Sequence, residues 1–282
     1  MRSSLHTASP SAISKADSVH FHALLSLAFV LLAGSVSADS VQPWMPWEQG
    51  EQLTYKISWG FVSAGSANMD VRPVADGNHF EFQSVARNNG AFKTIYPVAD
   101  TVFTRAQRYG LLPDVFRKAL NEGSFYNNST IRFDRENGKA VLADTVFKDR
   151  DRKRIKSRTD TAVSIKGWEH CIVTAFYLVR GMDFSKSDRH TYFAAVSGKK
   201  RYVLHVILHG KETIKTDLGT FRCIKVEPVL GGDGIFKTTG KLFIWISDDY
   251  RRLPVMVKTE ITIGSVVAEL SGFHQEPLKI KK

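Results

Sequence analysis

The fold of this chain is decided by residues 50–60, which read GEQLTYKISWG. The odd-numbered residues from Leu53 to Trp59 are apolar, and the even-numbered residues from Thr54 to Ser58 are polar. Because successive side chains of a β-strand point to opposite faces, this alternation predicts a half-buried strand. Small residues in the following GFVSAG segment (60–65) predict a turn, so a returning strand should pair with the first.

The same period of two residues recurs along most of the chain, and turn signals such as Asn137-Gly138 and Ser197-Gly198 separate its repeats. Beyond the first three strands, which the apolar positions near 53–59, 67–71 and 80–82 indicate, further strands are predicted near 98–106, 114–120, 124–134, 139–147, 154–165, 190–197, 201–209, 211–217, 220–229, 240–247, 254–263 and 265–273. Evenly spaced short strands are typical of a barrel. We therefore predict a mainly β fold, an antiparallel meander that forms a strongly curved or barrel-like sheet.

One segment, Glu169–Met182, departs from this period. Its apolar residues recur at helical spacing, and Arg180-Gly181 is typical of a helix C-terminus. We predict the one substantial helix here, packed against the sheet or plugging it. Residues 50–275 are then a single β-rich domain, residues 39–49 an N-terminal linker and residues 276–282 a basic tail.

The N-terminal residues 1–38 have the features of a signal peptide. Arg2 and Lys15 precede an apolar run over residues 21–33, and Val36-x-Ala38 supplies the small residues of a cleavage site. Ser35 stands where a lipoprotein signal would need cysteine. No later apolar run has the length of a membrane span. We therefore expect an exported, periplasmic or secreted chain that is soluble and not lipidated.

The composition is basic, with a formal net charge of +11. In an exported protein this charge favours anionic envelope partners such as lipid headgroups or acidic polymers. The densest basic segment, residues 148–158, contains Asp149 and Asp151 and no aromatic side chain on which bases would stack, so it does not indicate nucleic-acid binding.

Metal, cofactor and redox motifs are not recognised in the sequence. His205 and His209 share a strand face but lie about 13 Å apart on an extended strand, too far to bind one metal ion. Phosphate loops, dinucleotide fingerprints and a nucleophile elbow are missing, so no cofactor and no catalytic residue are assigned. For Cys171 and Cys223, the only cysteines, a disulfide and two buried free thiols both remain open.

Four blocks of sequence resemble one bacterial family. They are GEQLTYKISWG (50–60) with Ala64-Gly65, TAFYLVR (174–180), GTFRCIKV (219–226), and IWISDDYRRLPV (244–255) running on into GSVVAEL (264–270). In their order they resemble the family named domain of unknown function 3108. The resemblance implies a secreted, mainly β envelope protein and brings no activity with it.

Large aromatic residues at strand positions are the first candidates for a binding site. Tyr55, Trp59 and Trp245 would line a cavity for an apolar chain, or else fill a β core. Trp44 and Trp47 precede the first strand and would cover an open barrel end or form a surface strap. The expected core comprises Leu53, Tyr55, Ile57, Trp59, Ile244, Ile246, Val255 and Val257.

A polar block, SDDYRRLP (247–254), lies between two apolar strands. Arg251 and Arg252 are candidates for holding the anionic group of a ligand. We predict Asp248 and Asp249 to be turn residues, because a hairpin requires turn-forming side chains at this position.

Three functions follow from these patterns. The preferred one is a non-catalytic exported envelope protein that binds an apolar or anionic amphiphilic ligand, such as a lipid, in its curved sheet. The alternatives are an envelope scaffold that binds another protein, and a carboxylate-dependent envelope hydrolase that uses Asp248, Asp249 or another carboxylate.

Overall fold

A computed structural model describes residues 45–185, 189–230, 240–261 and 264–275. The predicted signal peptide, Trp44 and the basic tail lie outside these ranges. The strands are β1 (Glu51–Trp59), β2 (Val62–Pro73), β3 (His79–Asn88), β4 (Ala99–Gln107), β5 (Pro113–Glu122), β6 (Phe125–Asp134), β7 (Lys139–Phe147), β8 (Ile155–Ser164), β9 (His190–Ser197), β10 (Lys200–Thr216), β11 (Gly219–Leu230), β12 (Leu242–Ser247), β13 (Pro254–Glu260) and β14 (Ser265–Gln275). The helices are α1 (Gly90–Ile95) and α2 (Ile172–Arg180).

All the strands belong to one antiparallel sheet of 14 strands, in the order β8-β7-β6-β5-β4-β3-β2-β1-β14-β13-β12-β11-β10-β9. Strands that are consecutive in sequence pair with each other, except for β8 and β9, and β1 also pairs with β14, with Glu51 opposite Gln275. The sheet curves into a nearly closed barrel, which confirms the predicted fold class.

The seam of this barrel lies between β8 and β9, the two edges of the sheet. The segment that follows β8 bridges it, because the His170 N–H donates to Ala194 O and the Val196 N–H donates to His170 O, each at 2.8 Å. Glu169 is fully buried beside the bridge and accepts a hydrogen bond from Arg201 Nε at 2.5 Å. These contacts hold the two edges together without a continuous strand pairing.

The elements follow the predicted ones closely, with two differences. β10 is one strand of 17 residues where two were predicted, because the chain continues through a bulge at Gly210, whose φ of 109° suits glycine. The six-residue helix α1 was not predicted, because a helix of fewer than two turns is too short to show a helical period.

Helix α2 fills the inside of the barrel at one end. β1 runs from Glu51 to Trp59, so these residues mark the two ends, which we call the Glu51 end and the Trp59 end. At the Glu51 end, α2 is buried against several strands in a cluster comprising Trp47, Val71, Phe80, Phe82, Ala106, Leu111, Ala175, Phe176, Tyr177, Val179, Leu204, Val206, Ile224, Val226, Ile244 and Ile246. The helix therefore plugs this end, one of the two placements expected for it.

A buried ion pair anchors the end of the helix. Arg180 donates to both carboxylate oxygens of Glu51 at 2.7 Å, and neither side chain is exposed. Burial opposes the charge of Arg180, but the attraction of Glu51 raises the pKa of the guanidinium above its ordinary value. Trp47 lies over the guanidinium at 4.7 Å and is itself fully buried, so it covers this end of the barrel. Residues 45–49 thus pack on the core, although they were predicted to be linker.

The two cysteines are free and buried. Cys171 packs at the start of α2 near Thr104, whereas Cys223 belongs to a different cluster with Tyr55 and Trp245. Burial raises the pKa of both thiols, that of Cys223 to about 12. Of the two readings that the sequence left open, the structure has the free thiols and not the disulfide.

Candidate functional site

An apolar cavity of about 200 Å³ occupies the Trp59 end of the barrel. The prediction that Ile57, Trp59 and Val257 are core residues was wrong in one respect, since all three are only half-buried. Each of them lines this cavity. The remaining members of the expected core are buried. The sequence alternation therefore predicted correctly which residues form the apolar face of each strand. At the Trp59 end this face borders a space that side chains do not fill.

Small residues create the space. In one row across the sheet Tyr55 is opposite Ala67, and Ala67 is opposite Ala86; in the next row Ile57 is opposite both Gly65 and Ala268. A Cβ placed on Gly65 would come within 2.8 Å of Asn88 Cα, so only glycine permits this approach of β2 and β3. Small side chains on neighbouring strands leave the interior empty where large ones would close it.

Aromatic rings bound the cavity at its outer part and at its floor. Phe92 of α1 lies 6.0 Å from the Trp59 ring, and both line the outer part of the cavity. Asn88 fixes the segment after α1, since its amide donates to Tyr96 O at 2.6 Å and its Oδ1 accepts from Val98 N at 2.9 Å. Deeper inside, the Tyr55 hydroxyl donates to Pro254 O at 2.9 Å. The cavity thus has a fixed floor and a short helix at its rim.

A second depression, of about 310 Å³, lies next to the cavity and shares Arg87, Asn88 and Val98 with it. We call it the basic groove; its lining is Arg87, Asn88, Lys93, Pro97, Val98, Ala99, Asn121, Gly123, Tyr126 and Arg150. Arg87 is opposite Ala99, and Asn121 is opposite Tyr126. These positions alternate with the buried Ala86, Asp100 and Leu120, so the groove follows the outer face of the sheet.

A buried pair of carboxyl groups lies on the inner side of the same strands. Asp100 and Glu122 are almost fully buried, and a hydrogen bond joins their side chains. Burial raises the pKa of Asp100 to about 6, although a hydrogen bond from the Asn121 N–H at 2.8 Å opposes this rise. Two carboxyl groups in contact in a poorly solvated place favour retention of a proton.

This pair predicts a pH dependence of stability. The folded pKa of Asp100 lies above its ordinary value of 3.8, so its contribution to stability is complete below that value and is lost as the pH rises through about 6. Asp100→Asn removes the titration and keeps an oxygen for Asn121. We expect the variant to gain roughly 1–3 kcal/mol relative to the wild type between acidic and neutral pH. Urea unfolding of both proteins across this pH range measures the difference, and a difference that does not change with pH would contradict the assignment.

The structure brings together only part of the predicted binding site. Tyr55 and Trp59 line the cavity, but Trp245 does not; it is buried elsewhere, and its indole N–H donates to Glu212 Oε2 at 2.7 Å. Arg251 and Arg252 lie at the Glu51 end, where their carbonyl oxygens accept hydrogen bonds from Gln275 and Arg180. The length of β1 alone separates the two ends by about 26 Å. The arginines are therefore remote from the cavity.

The acidic and histidine candidates have structural partners. Asp249 accepts from Ser247 Oγ at 2.8 Å and from the Arg251 N–H at 3.0 Å, within the turn between β12 and β13. Asp248 pairs with Lys211 at 2.7 Å. His205 contacts His190 at 2.8 Å, and His209 contacts Glu227 at 2.5 Å. Among the residues that the structure describes, no group of three or more His, Cys, Asp or Glu side chains is arranged to hold a metal ion.

Sequence reasoning missed the cations of the groove and the small residues of the cavity. Arg87 and Lys93 are close in sequence, but Arg150 is far from both, and only the fold of the sheet with its β7–β8 hairpin brings it to them. The small residues did carry a signal. Gly65, Ala67 and Ala86 occupy inward positions of their strands, where a filled core would favour larger side chains.

The comparisons with known proteins bear on the fold and on the family. The sequence model of the family described as "Protein of unknown function (DUF3108)" matches residues 54–271. The chain belongs to the DUF3108 family. This match confirms the resemblance found in the sequence. No curated protein matches this DUF3108 chain.

A solved structure resembles the fold of this DUF3108 chain. It is the beta-barrel-like protein of domain of unknown function DUF1849 from Brucella abortus, with a TM-score of 0.52 and 10% sequence identity. The match covers 81% of this chain and 98% of the other. At this identity the likeness speaks to the fold alone. Within the described part of the DUF3108 chain, neither helix has the length and apolar character that a membrane crossing requires.

Proposed function

We propose that this DUF3108 chain is an exported, non-catalytic protein that binds an apolar ligand, or the apolar part of an amphiphile, in the cavity at the Trp59 end. The signal-peptide pattern of residues 1–38 supports the export. The cavity supports the binding site.

The observation that carries the proposal is the incomplete burial of Ile57, Trp59 and Val257 around an apolar space of about 200 Å³. An apolar cavity of about 150 Å³ stays dry and binds benzene, so a space of this size takes an aromatic ring or a short alkyl chain. Transfer of apolar surface from water into such a site is favourable at about 25 cal/mol per Å². A longer chain would leave its remainder outside the barrel.

The alternative of a hydrolase loses support from the same geometry. Asp248 and Asp249, the carboxylates on which it depends, are held in turn contacts and ion pairs at the Glu51 end. Apart from the Tyr55 hydroxyl, which donates to Pro254 O, and the Trp59 indole, the cavity has polar side chains from Ser84, Arg87, Asn88 and Thr259. Asn88 is occupied in fixing the segment after α1. The lining therefore favours the binding of an apolar group over acid–base chemistry.

Filling the cavity should abolish binding. Octanol titrated into the wild type by calorimetry is expected to give saturable binding with a negative heat-capacity change, the mark of apolar burial. Ala67→Phe places a ring in the cavity, and we expect it to weaken the binding at least tenfold while the melting temperature stays the same or rises.

Two further variants complete this experiment. Asn68→Phe adds the same ring at an exposed position of the same strand on the outer face and should bind octanol like the wild type. Ala268→Leu fills part of the same space with a smaller side chain, in case Ala67→Phe does not fold. The proposal would be abandoned if the wild type showed no saturable binding, or if the folded cavity variants bound octanol as well as the wild type does.

A further inference from the structure

The basic groove beside the cavity is lined by three cationic side chains, Arg87, Lys93 and Arg150, and by no acidic one among the described residues. Arg87 belongs to β3 and Lys93 to α1, whereas Arg150 lies in the hairpin between β7 and β8. Three separate elements therefore direct positive charge to one depression of about 310 Å³.

The charge of these cations is not balanced by carboxylates of the groove lining. Within the described part of the protein, none of the three forms an ion pair, whereas Arg154, Arg158, Arg105 and Lys56 each contact an aspartate. The nearest buried acids, Asp100 and Glu122, point to the inside of the barrel, on the opposite face of the sheet. The groove thus presents unbalanced positive charge to the solvent.

The lining also contains the neutral polar residues Asn121 and Tyr126. Asn121 and Tyr126 face each other across β5 and β6, and both line the groove. The Asn121 amide donates to Ala99 O at 2.7 Å, and the Tyr126 hydroxyl donates to Gly123 O at 3.1 Å, so both side chains are held in place. Cations above a fixed polar surface suit the recognition of an anionic group by charge-assisted hydrogen bonds.

The groove and the apolar cavity are contiguous. Arg87, Asn88 and Val98 belong to the lining of both, so a group in the groove and a chain in the cavity would be separated by one layer of residues at the rim. We infer that the basic groove is the head-group subsite of the cavity, and that the ligand is an amphiphile with an anionic head of the phosphate class and an apolar tail. This inference rests on the proposed function, whose cavity holds the tail.

The head-group subsite replaces the one expected from the sequence. Arg251 and Arg252 were to hold the anionic group, but they lie at the opposite end of the barrel. Arg87 is at the rim itself, and it is opposite Ser66 in the register of β2 and β3. The charge expected near the cavity is therefore present, on other residues.

The test compares three probes that separate head from tail: octanol, octyl phosphate and inorganic phosphate. In the wild type, octyl phosphate should bind about tenfold more tightly than octanol, because charge-assisted hydrogen bonds at the groove add to the burial of the same tail. In the triple variant Arg87→Gln, Lys93→Gln, Arg150→Gln, its affinity should fall to that of octanol. The comparison is made with the octanol affinity of the same variant, because Arg87 also lines the cavity.

A matched variant controls for net charge. Arg72→Gln, Arg132→Gln and Lys139→Gln remove the same charge from exposed positions outside the groove. This control should keep the tenfold preference for octyl phosphate. Equal loss of the preference in both triple variants would assign it to the overall charge of the protein and overturn the inference.

The remaining outcomes distinguish the two proposals. If the wild type binds octanol and octyl phosphate equally, the head-group subsite is wrong and the apolar site stands. If octanol does not bind, the apolar site is wrong, and with it the amphiphile. In that case, inorganic phosphate that binds to the wild type and to the control variant, but not to the groove variant, would identify the groove as an anion site without a site for a tail. If inorganic phosphate did not bind to the wild type, the assignment of the groove as an anion site would be wrong as well.

Discussion

Arg180→Met is expected to lower the free energy of unfolding by about 3–5 kcal/mol. The substitution removes one partner of a buried ion pair. Among the described residues, the Gln275 amide, at 2.6 Å, is then the remaining side chain that donates to the Glu51 carboxylate. An unpaired charge in a place without solvent is the reason for the size of the effect. Urea unfolding at neutral pH measures it.

Two further variants serve as controls for this measurement. Glu51→Met combined with Arg180→Met removes both charges and should recover a large part of the lost stability, because the pair itself contributes little beyond mutual neutralisation. Lys56→Gln breaks the exposed contact with Asp217 and should change little. A loss below about 1 kcal/mol for Arg180→Met would mean that water reaches the pair.

Trp47→Ala lowers the free energy of unfolding by a similar amount, about 3–5 kcal/mol. The indole is fully buried, lies 4.9 Å from the Tyr177 ring in an edge-to-face arrangement, and covers the Arg180 guanidinium at 4.7 Å. Its loss leaves a cavity at the Glu51 end and exposes the ion pair to water. Thermal and urea unfolding both report the change.

Trp47→Phe provides the matched comparison. The indole N–H finds no acceptor among the described residues, so phenylalanine removes an unsatisfied donor while it keeps most of the ring. We expect Trp47→Phe to lose less than half as much stability as Trp47→Ala. Trp168→Ala, at a position 43% exposed, should have little effect. Comparable losses at positions 47 and 168 would contradict the placement of Trp47 in the core.

Most of the sheet could be predicted because each strand buries one face only. β7 and β9 agree with their predicted ranges at both ends, and most other strands differ by one or two residues, since turn residues such as Gly138 and Gly198 flank them. The register between β1 and β14 was not predictable in the same way. It depends on which distant strand closes the barrel, and local alternation carries no information about that choice.

The candidate site was predictable only in part, for a related reason. Tyr55 and Trp59 were found because large aromatics on an apolar phase are visible in one strand. The cavity that they line is left open by the small side chains of Ala67 in β2 and Ala86 in β3. Such a cavity depends on the register of several strands and is not visible in the sequence of one. The prediction for Arg251 and Arg252 was wrong because these residues were chosen for their closeness in sequence to a strand with large aromatic residues. Closeness in sequence does not determine at which end of the barrel a hairpin turn lies.

The seam between β8 and β9 also determines the order in which the chain can fold. Strands β1 to β8 form one meander and β9 to β14 another, each built from neighbours in sequence, and α2 connects them. Only the β1–β14 pairing joins distant residues, with Gln275 and Glu51 224 positions apart. Loop closure over such a distance carries a large entropic penalty and slows folding. The two meanders can therefore form independently, with the Glu51–Arg180–Gln275 contacts completed only when they meet, so the plug at the Glu51 end also marks the final step of assembly.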